Sequence, residues 1–224
     1  MPSVLKKFGL LALNNCVRQN SFLTKLLFGV RTNNNERIHW DFTTLLLKKC
    51  LKNYIHGESK ILEVGTGPYA LLSVYLAKKF KCHIESCDIN REYVGNSALI
   101  ARENNAEIMI YQSDLFEAVK DKFDLIFFNS VYIPEQTGIK LGISRLHKYK
   151  TDWCGGVDGV TTIKKYLSSC GLFLNSGGKV FLGFNPHYLE FGKIKNIYSE
   201  YGLKIFALYK KPCNPSRILI FTKT

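Results

Sequence analysis

The chain has 224 residues, enough for one sizeable α/β core and an appendage but not for two full domains. Apolar residues make up 46%, an ordinary share for a globular protein, and no run approaches the roughly 20 apolar residues of a membrane span. Thirty-one basic against 18 acidic residues give a formal charge of +13, which points to an acidic or phosphate-bearing partner or to a solvated basic exterior. The seven cysteines show neither a C-x-x-C pair nor a His/Cys cluster at zinc spacing, so no metal site is expected and a reducing, cytoplasmic setting is the simplest inference.

Residues 1–36 form the first unit, a helical appendage and linker. Residues 1–35 carry Lys6, Lys7, Arg18, Lys25 and Arg31 and no acid, with Val4, Leu5, Phe8 and Leu11 at helical spacing and a second apolar run from Phe22 to Phe28. Such a start also fits an organelle transit peptide or a surface-binding helix, but not a secretory signal. Arg31-Thr-Asn-Asn-Asn-Glu36 reads as a polar linker. Residues 37–224 form the main domain. Thr43 or Thr44 is the expected cap of its first helix, which carries Leu45, Leu46, Leu47, Leu51 and Ile55.

After Gly57 apolar strand runs alternate with helical patterns. Strands are expected at 60–64, 82–87, 107–111, 123–128 and 178–184, with helices near 68–80, 91–104 and 157–174. That alternation predicts a doubly wound parallel sheet covered on both faces. The runs at 201–209 and 217–222, joined by a Lys-Lys-Pro-Cys-Asn-Pro-Ser loop, predict an antiparallel terminal hairpin.

The first strand runs into Glu63-Val-Gly-Thr66-Gly-Pro68, a glycine turn expected to open a helix at Pro68. Gly65 and Gly67 let backbone N–H groups approach a ligand, and Gly65-x-Gly67-x-x-Ala70 also fits a dinucleotide fingerprint. Asp88 ends the second strand, where doubly wound sheets hold the ribose of a nucleoside cofactor. Asp114 follows the third strand and Asn129-Ser-Val-Tyr132 the fourth. Each alone reads as a cap or turn residue. Four polar groups at one sheet edge read as a binding site.

These residues resemble the class I S-adenosylmethionine-dependent methyltransferases over about 37–224, and within them the HemK-like branch of release-factor glutamine N5-methyltransferases. Glu63-Val-Gly-Thr-Gly stands for the cofactor loop, Asn129-Ser-Val-Tyr132 for Asn-Pro-Pro-Tyr, and Trp153-Cys-Gly-Gly-Val-Asp-Gly159 for the Gly-Gly-x-Asp-Gly segment. The resemblance implies a seven-stranded Rossmann-like sheet and S-adenosylmethionine as cofactor. It implies that Glu63, Gly65, Thr66 and Gly67 approach the methionine part, Asp88 the ribose and Asp114 the adenine. Asn129 is then the catalytic hydrogen-bond acceptor for the target nitrogen, with Tyr132 packed against it. The acceptor is a protein amide, an RNA base or a small-molecule amine.

Ser130 and Val131 replace the two prolines, which restores two N–H groups, loosens the turn and puts a glutamine substrate in question. Residues 1–56 are too short for the helical substrate domain of the release-factor enzymes. Between Asn129 and Gly155 a long loop carries Lys140, Arg145, His147, Lys148 and Lys150 among Leu146, Tyr149 and Trp153, either a solvated face or a clamp for an anionic substrate. Asn185-Pro-His187-Tyr188 looks like a second tetrapeptide but follows the fifth strand and reads as structural. A nicotinamide-dependent oxidoreductase and a non-catalytic module of the same fold are the competing readings.

Overall fold

A computed structural model describes residues 17–33, 40–195 and 197–224. Val4, Leu5, Phe8 and Leu11 lie outside these described residues, as does the second half of the expected linker.

Helix α1 (Ser21–Phe28) begins at Asn20, whose side chain accepts from Leu23 N, and ends at Gly29 with φ +68°. Helix α2 (Phe42–Leu51) starts one or two residues before the expected cap. Asp41 is its N-cap, accepting Thr44 N at 2.7 Å, while Thr44 Oγ1 accepts the N–H of Asp41 at 3.2 Å. Thr44 is therefore the returning half of a capping box rather than the cap.

Strand β1 (Lys60–Val64) leads through the glycine turn to α3 (Leu71–Phe80), which begins three residues after Pro68. Ala70 adopts φ +43°, a left-handed conformation that no helix interior accommodates, so the helix starts only beyond it. There follow β2 (His83–Asp88), α4 (Arg91–Glu103), β3 (Met109–Gln112) and β4 (Phe123–Asn129). The segment after β4 is not a plain loop. It contains α5 (Glu135–Leu141) and two single 3₁₀ turns, Ile143–Arg145 and Lys150–Asp152. Then come α6 (Thr161–Cys170), β5 (Leu174–Phe184), α7 (Phe191–Lys195), β6 (Leu203–Tyr209) and β7 (Arg217–Lys223).

The seven strands form one sheet in the order β3-β2-β1-β4-β5-β7-β6. The first five are mutually parallel, and β7 pairs antiparallel with both β5 and β6. β5 begins earlier than expected because Asn175-Ser-Gly-Gly178 sits inside it as an irregularity. The register against β4 jumps from Phe123 opposite Leu174 to Leu125 opposite Lys179, and Asn175 Nδ2 donates to Asp124 Oδ1 at 2.8 Å.

Alternation along the central strands feeds two cores. Leu125 and Phe127 of β4, with Ile218 and Ile220 of β7, face Leu46, Leu47, Leu72 and Val74 from α2 and α3. Ile126 and Phe128, with Leu219 and Phe221, face Ile163, Tyr166 and Leu167 of α6. Burial on both faces is why these strands read as continuous apolar runs. It also fixes the carboxyl ends of β1, β2 and β4 side by side, because Val64 lies opposite both Cys87 and Phe128.

Candidate active site

Those strand ends open into a crevice of about 1100 Å³. Glu63, Gly65, Thr66, Gly67, Asp88, Asp114, Asn129, Ser130, Val131, Tyr132, Arg145, Lys148 and Trp153 all border it, so the sheet brings together every expected site residue except Lys140. Lys140 and Lys150 do not line the crevice.

On one side the cavity is framed by backbone. Gly65 and Gly67 both have φ +67°, and a Cβ on Gly65 would lie 2.7 Å from the Phe128 ring. At Gly67 a Cβ would meet nothing within 4 Å, so the turn presents bare backbone to open space. The Asp88 carboxylate ties the turn down, with Oδ2 accepting Gly67 N at 2.9 Å and Oδ1 accepting Asn90 N at 2.9 Å. Burial raises its pKa against the pull of those N–H groups. Glu63 is buried behind the turn, and its Oε2 accepts from the Thr66 hydroxyl (3.0 Å), Ser73 N (3.2 Å) and the Ser73 hydroxyl (2.5 Å). Burial pushes the Glu63 carboxyl up to about 7 despite these donors. Asp114 lines the same side just beyond β3. Two turn glycines, an acid closing β2 and another beyond β3 make a cradle of the size and polarity a nucleoside cofactor with a charged tail requires.

On the other side the cavity is framed by side chains. Asn129 Nδ2 donates to Asp41 Oδ1 (3.3 Å) and Thr44 Oγ1 (3.2 Å), while Asn129 Oδ1 is buried with no hydrogen-bond partner. A buried acceptor left unpaired costs about 1–3 kcal/mol, so a donor brought to this oxygen would be stabilising. Tyr132 is buried, its hydroxyl 3.4 Å from Thr43 Oγ1, which in turn meets Ser216 Oγ at 2.8 Å. Burial first, and Asp41 second, hold the Tyr132 phenol in its protonated form. The Tyr188 ring lies 6.4 Å from that of Tyr132, and His187 is also on the lining.

The two residues in place of the expected prolines behave differently from a loosened turn. Ser130 donates both its hydroxyl (2.7 Å) and its N–H (3.3 Å) to Gly183 O at the end of β5. The hydrogen bonds do the bracing that ring closure does in proline. Val131 lines the crevice directly.

The basic segment is largely spoken for. Lys148 Nζ lies 2.5 Å from Glu92 Oε1, Lys150 Nζ 2.5 Å from Glu135 Oε1, and Tyr149 OH donates to Glu92 Oε2. Tyr93 OH donates to Asp152 Oδ2 at 2.8 Å, and the Tyr93 and Tyr149 rings meet edge to face. The contacts to Glu92 and Tyr93 latch the segment onto the start of α4, next to Asp88, while Lys150–Glu135 ties the segment to its own helix α5. His147 is no cation here, because burial lowers its pKa to about 4. Trp153 is buried against Gly138, where a Cβ would fall 2.0 Å from its ring. The residues that sequence reasoning missed are Asp41; Thr44, which read only as a helix cap; and Arg18 and Lys165, which line the crevice from distant segments.

No helix among the described residues is long and apolar enough to cross a membrane, and these residues hold no group of three potential metal ligands.

Residues 36–136 match the methyltransferase small domain family. Among curated proteins, a putative protein N5-glutamine methyltransferase of Methanocaldococcus jannaschii is 36% identical over 131 residues, 58% of this chain and 64% of that protein. A release factor glutamine methyltransferase of Streptococcus pneumoniae is 22% identical over 141 residues, 62% of this chain and 50% of that protein. The chain thus spans between half and two thirds of the length of these relatives. Among solved structures, a methyltransferase from Pyrococcus furiosus superposes with a TM-score of 0.67 at 22% identity, over 90% of this chain and 93% of that one. A 16S rRNA methyltransferase of T. thermophilus, solved with AdoMet and guanosine, gives 0.59 at 20% identity, over 83% of this chain and 44% of that one. The family match covers residues 36–136, and the sheet order with its terminal antiparallel hairpin is the fold of these solved methyltransferases.

Proposed function

We propose that the chain transfers a methyl group from S-adenosylmethionine to a nitrogen, with the side-chain amide of a protein glutamine as the first acceptor to try. The observation that carries this reading is the unpaired, buried Oδ1 of Asn129 at the carboxyl end of β4, a residue that lines the crevice together with the glycine turn. The curated relatives named for glutamine methylation favour a protein amide over an RNA base.

S-adenosylmethionine supplies an electrophilic methyl on sulfur. Gly65, Thr66 and Gly67 would hold its methionine end, with Glu63 behind them, and Asp88 and Asp114 would hold the ribose and adenine. Asn129 Oδ1 accepts an N–H of the acceptor and so fixes the direction of the nitrogen lone pair. Bound there, the cofactor would give up that methyl to the acceptor nitrogen, the S–C bond breaking as the N–C bond forms and the nitrogen releasing its proton to solvent. Tyr132 and Tyr188 form the wall beside the nitrogen. This is catalysis by positioning, so the lack of an ionised nucleophile is no obstacle. An acidic or phosphate-bearing part of the acceptor meets Arg145 and Lys165 on the crevice wall, because Lys148 and Lys150 are already paired.

Calorimetry with S-adenosylmethionine, its demethylated product and NAD, followed by transfer of a radiolabelled methyl group to glutamine-bearing peptides and to total RNA, tests the reading. Binding of the first two with label appearing in peptide is expected. Binding of NAD alone would overturn the class, and label in RNA alone would overturn the acceptor.

A further inference from the structure

The Asn129 amide has two orientations of nearly the same shape, and only one leaves its oxygen toward the acceptor. Behind it stand Asp41 Oδ1 and Thr44 Oγ1, which accept the two Nδ2 bonds from the far side. A flipped amide would place its oxygen against the Asp41 carboxylate, which has nothing to donate, and would turn N–H donors into the crevice. A donor there cannot hold the N–H of an acceptor.

The two residues are themselves locked. Asp41 Oδ1 also accepts Thr44 N and the Thr44 hydroxyl, each at 2.7 Å, and the N–H of Asp41 returns to Thr44 Oγ1. Helix geometry therefore fixes the carboxylate, and the carboxylate fixes the amide. Hydrogen bonds to an ionised acceptor are about twice as strong as neutral ones. A negative charge behind the NH₂ group also polarises the amide toward its oxygen, the atom that must hold the acceptor.

We propose that Asp41 and Thr44 are positioning residues for methyl transfer, and that the capping box of α2 orients and polarises the Asn129 amide. The proposal rests on Asn129 being the acceptor-holding group. It assigns to residues 88 and 85 positions upstream of Asn129 a role in the reaction step that the helix start alone does not imply.

The test separates the cap from the contact. Asp41→Ser retains a good N-cap but is too short to reach Asn129, Asp41→Asn retains both the cap and an acceptor oxygen, and Thr44→Val removes one acceptor. The first readout needs no acceptor: protein labelled with ¹⁵N-asparagine, with the Asn129 side-chain resonance assigned by its loss in Asn129→Ala. The wild-type NH₂ protons should exchange at least about 10-fold more slowly than those of an exposed asparagine, Asp41→Ser should abolish that protection, and Asp41→Asn should keep it. The second readout is methyl transfer to a glutamine-bearing peptide and to total RNA. Asp41→Ser should lower kcat by about 10–100-fold with KM, cofactor affinity and Tm unchanged, Thr44→Val should lower it less, and Asp41→Asn should recover most of the loss.

Unchanged protection in Asp41→Ser would overturn the proposal. So would a fall in kcat matched by a fall in Tm, or one that Asp41→Asn does not recover. A wild-type protein that protects the amide yet methylates neither probe would retire the functional reading, and the positioning role with it, while the held amide stands.

Discussion

The two sides of the crevice are built by opposite means. On the β1–β2 side, buried carboxylates are satisfied by groups close by in the sequence or in the turn: Asp88 takes Gly67 N and Asn90 N, and Glu63 takes Ser73 N and the Thr66 and Ser73 hydroxyls. On the β4 side, side chains hold side chains across long stretches of sequence, and one acceptor atom is left open. The first side is a preformed cradle that tolerates little change in its loop. The second is a surface whose partner completes it.

The sharpest way to break this comparison is Asn129→Ala. Losing one positioned hydrogen bond to the reacting group should cost about 10²–10³ in transfer rate, while calorimetry finds cofactor affinity unchanged. Equal losses in both would mean that the two sides are not separate.

Glu63 offers a test on the cradle alone. Its carboxyl rises from the ordinary 4.5 to about 7 in the fold, so the native state keeps a proton that the unfolded chain releases. Stability from this group is full below pH 4.5, declines as pH rises to about 7, and then levels off about 3 kcal/mol lower. Glu63→Gln keeps an acceptor oxygen and removes the titration. Relative to wild type, its unfolding free energy by urea titration should therefore gain by about 3 kcal/mol between pH 4.5 and 8. Parallel profiles for the two proteins would show that Glu63 is ionised throughout.

Asp88→Ala should weaken S-adenosylmethionine binding by about 1–3 kcal/mol and lower Tm as well, since two turn N–H groups lose their acceptor. A loss of affinity with Tm intact would make Asp88 a ligand contact only.

The smallest effect belongs to the latch. Ion pairs as exposed as Lys148–Glu92 and Lys150–Glu135 are screened by salt, so raising salt from 50 to 300 mM, or replacing both lysines by alanine, should change cofactor affinity by no more than about threefold. A salt slope that falls by about one per lysine removed, measured with RNA, would instead give these residues to a nucleic-acid acceptor.

The same contrast explains what could be read from the chain. The parallel strands, the hairpin and the cradle were legible because each is local: apolar runs alternate with helices, and Glu63, Gly65 and Gly67 stand in one turn. The start of α3 was misread because Pro68 promised a first helical turn, whereas Ala70 at φ +43° postpones it. Ser130 looked like a lost constraint, since nothing local says that its hydroxyl finds Gly183 O across the sheet. Lys148 and Lys150 looked free because Glu92 and Glu135 become their neighbours only on folding. The helix start was expected at Thr43 or Thr44, and nothing near Asp41 in the sequence hints at Asn129.

The bond between Thr43 and Ser216 joins residues 173 positions apart, and Asn214 Nδ2 reaches Phe42 O across 172. Contacts of such separation pay their loop-closure entropy late, and chains dominated by them fold slowly. The cradle, assembled from residues 60–115, can therefore form while the acceptor wall is still open. During refolding, cofactor affinity should return before methyl transfer does, and the interval between them measures how long the β6–β7 loop takes to find α2.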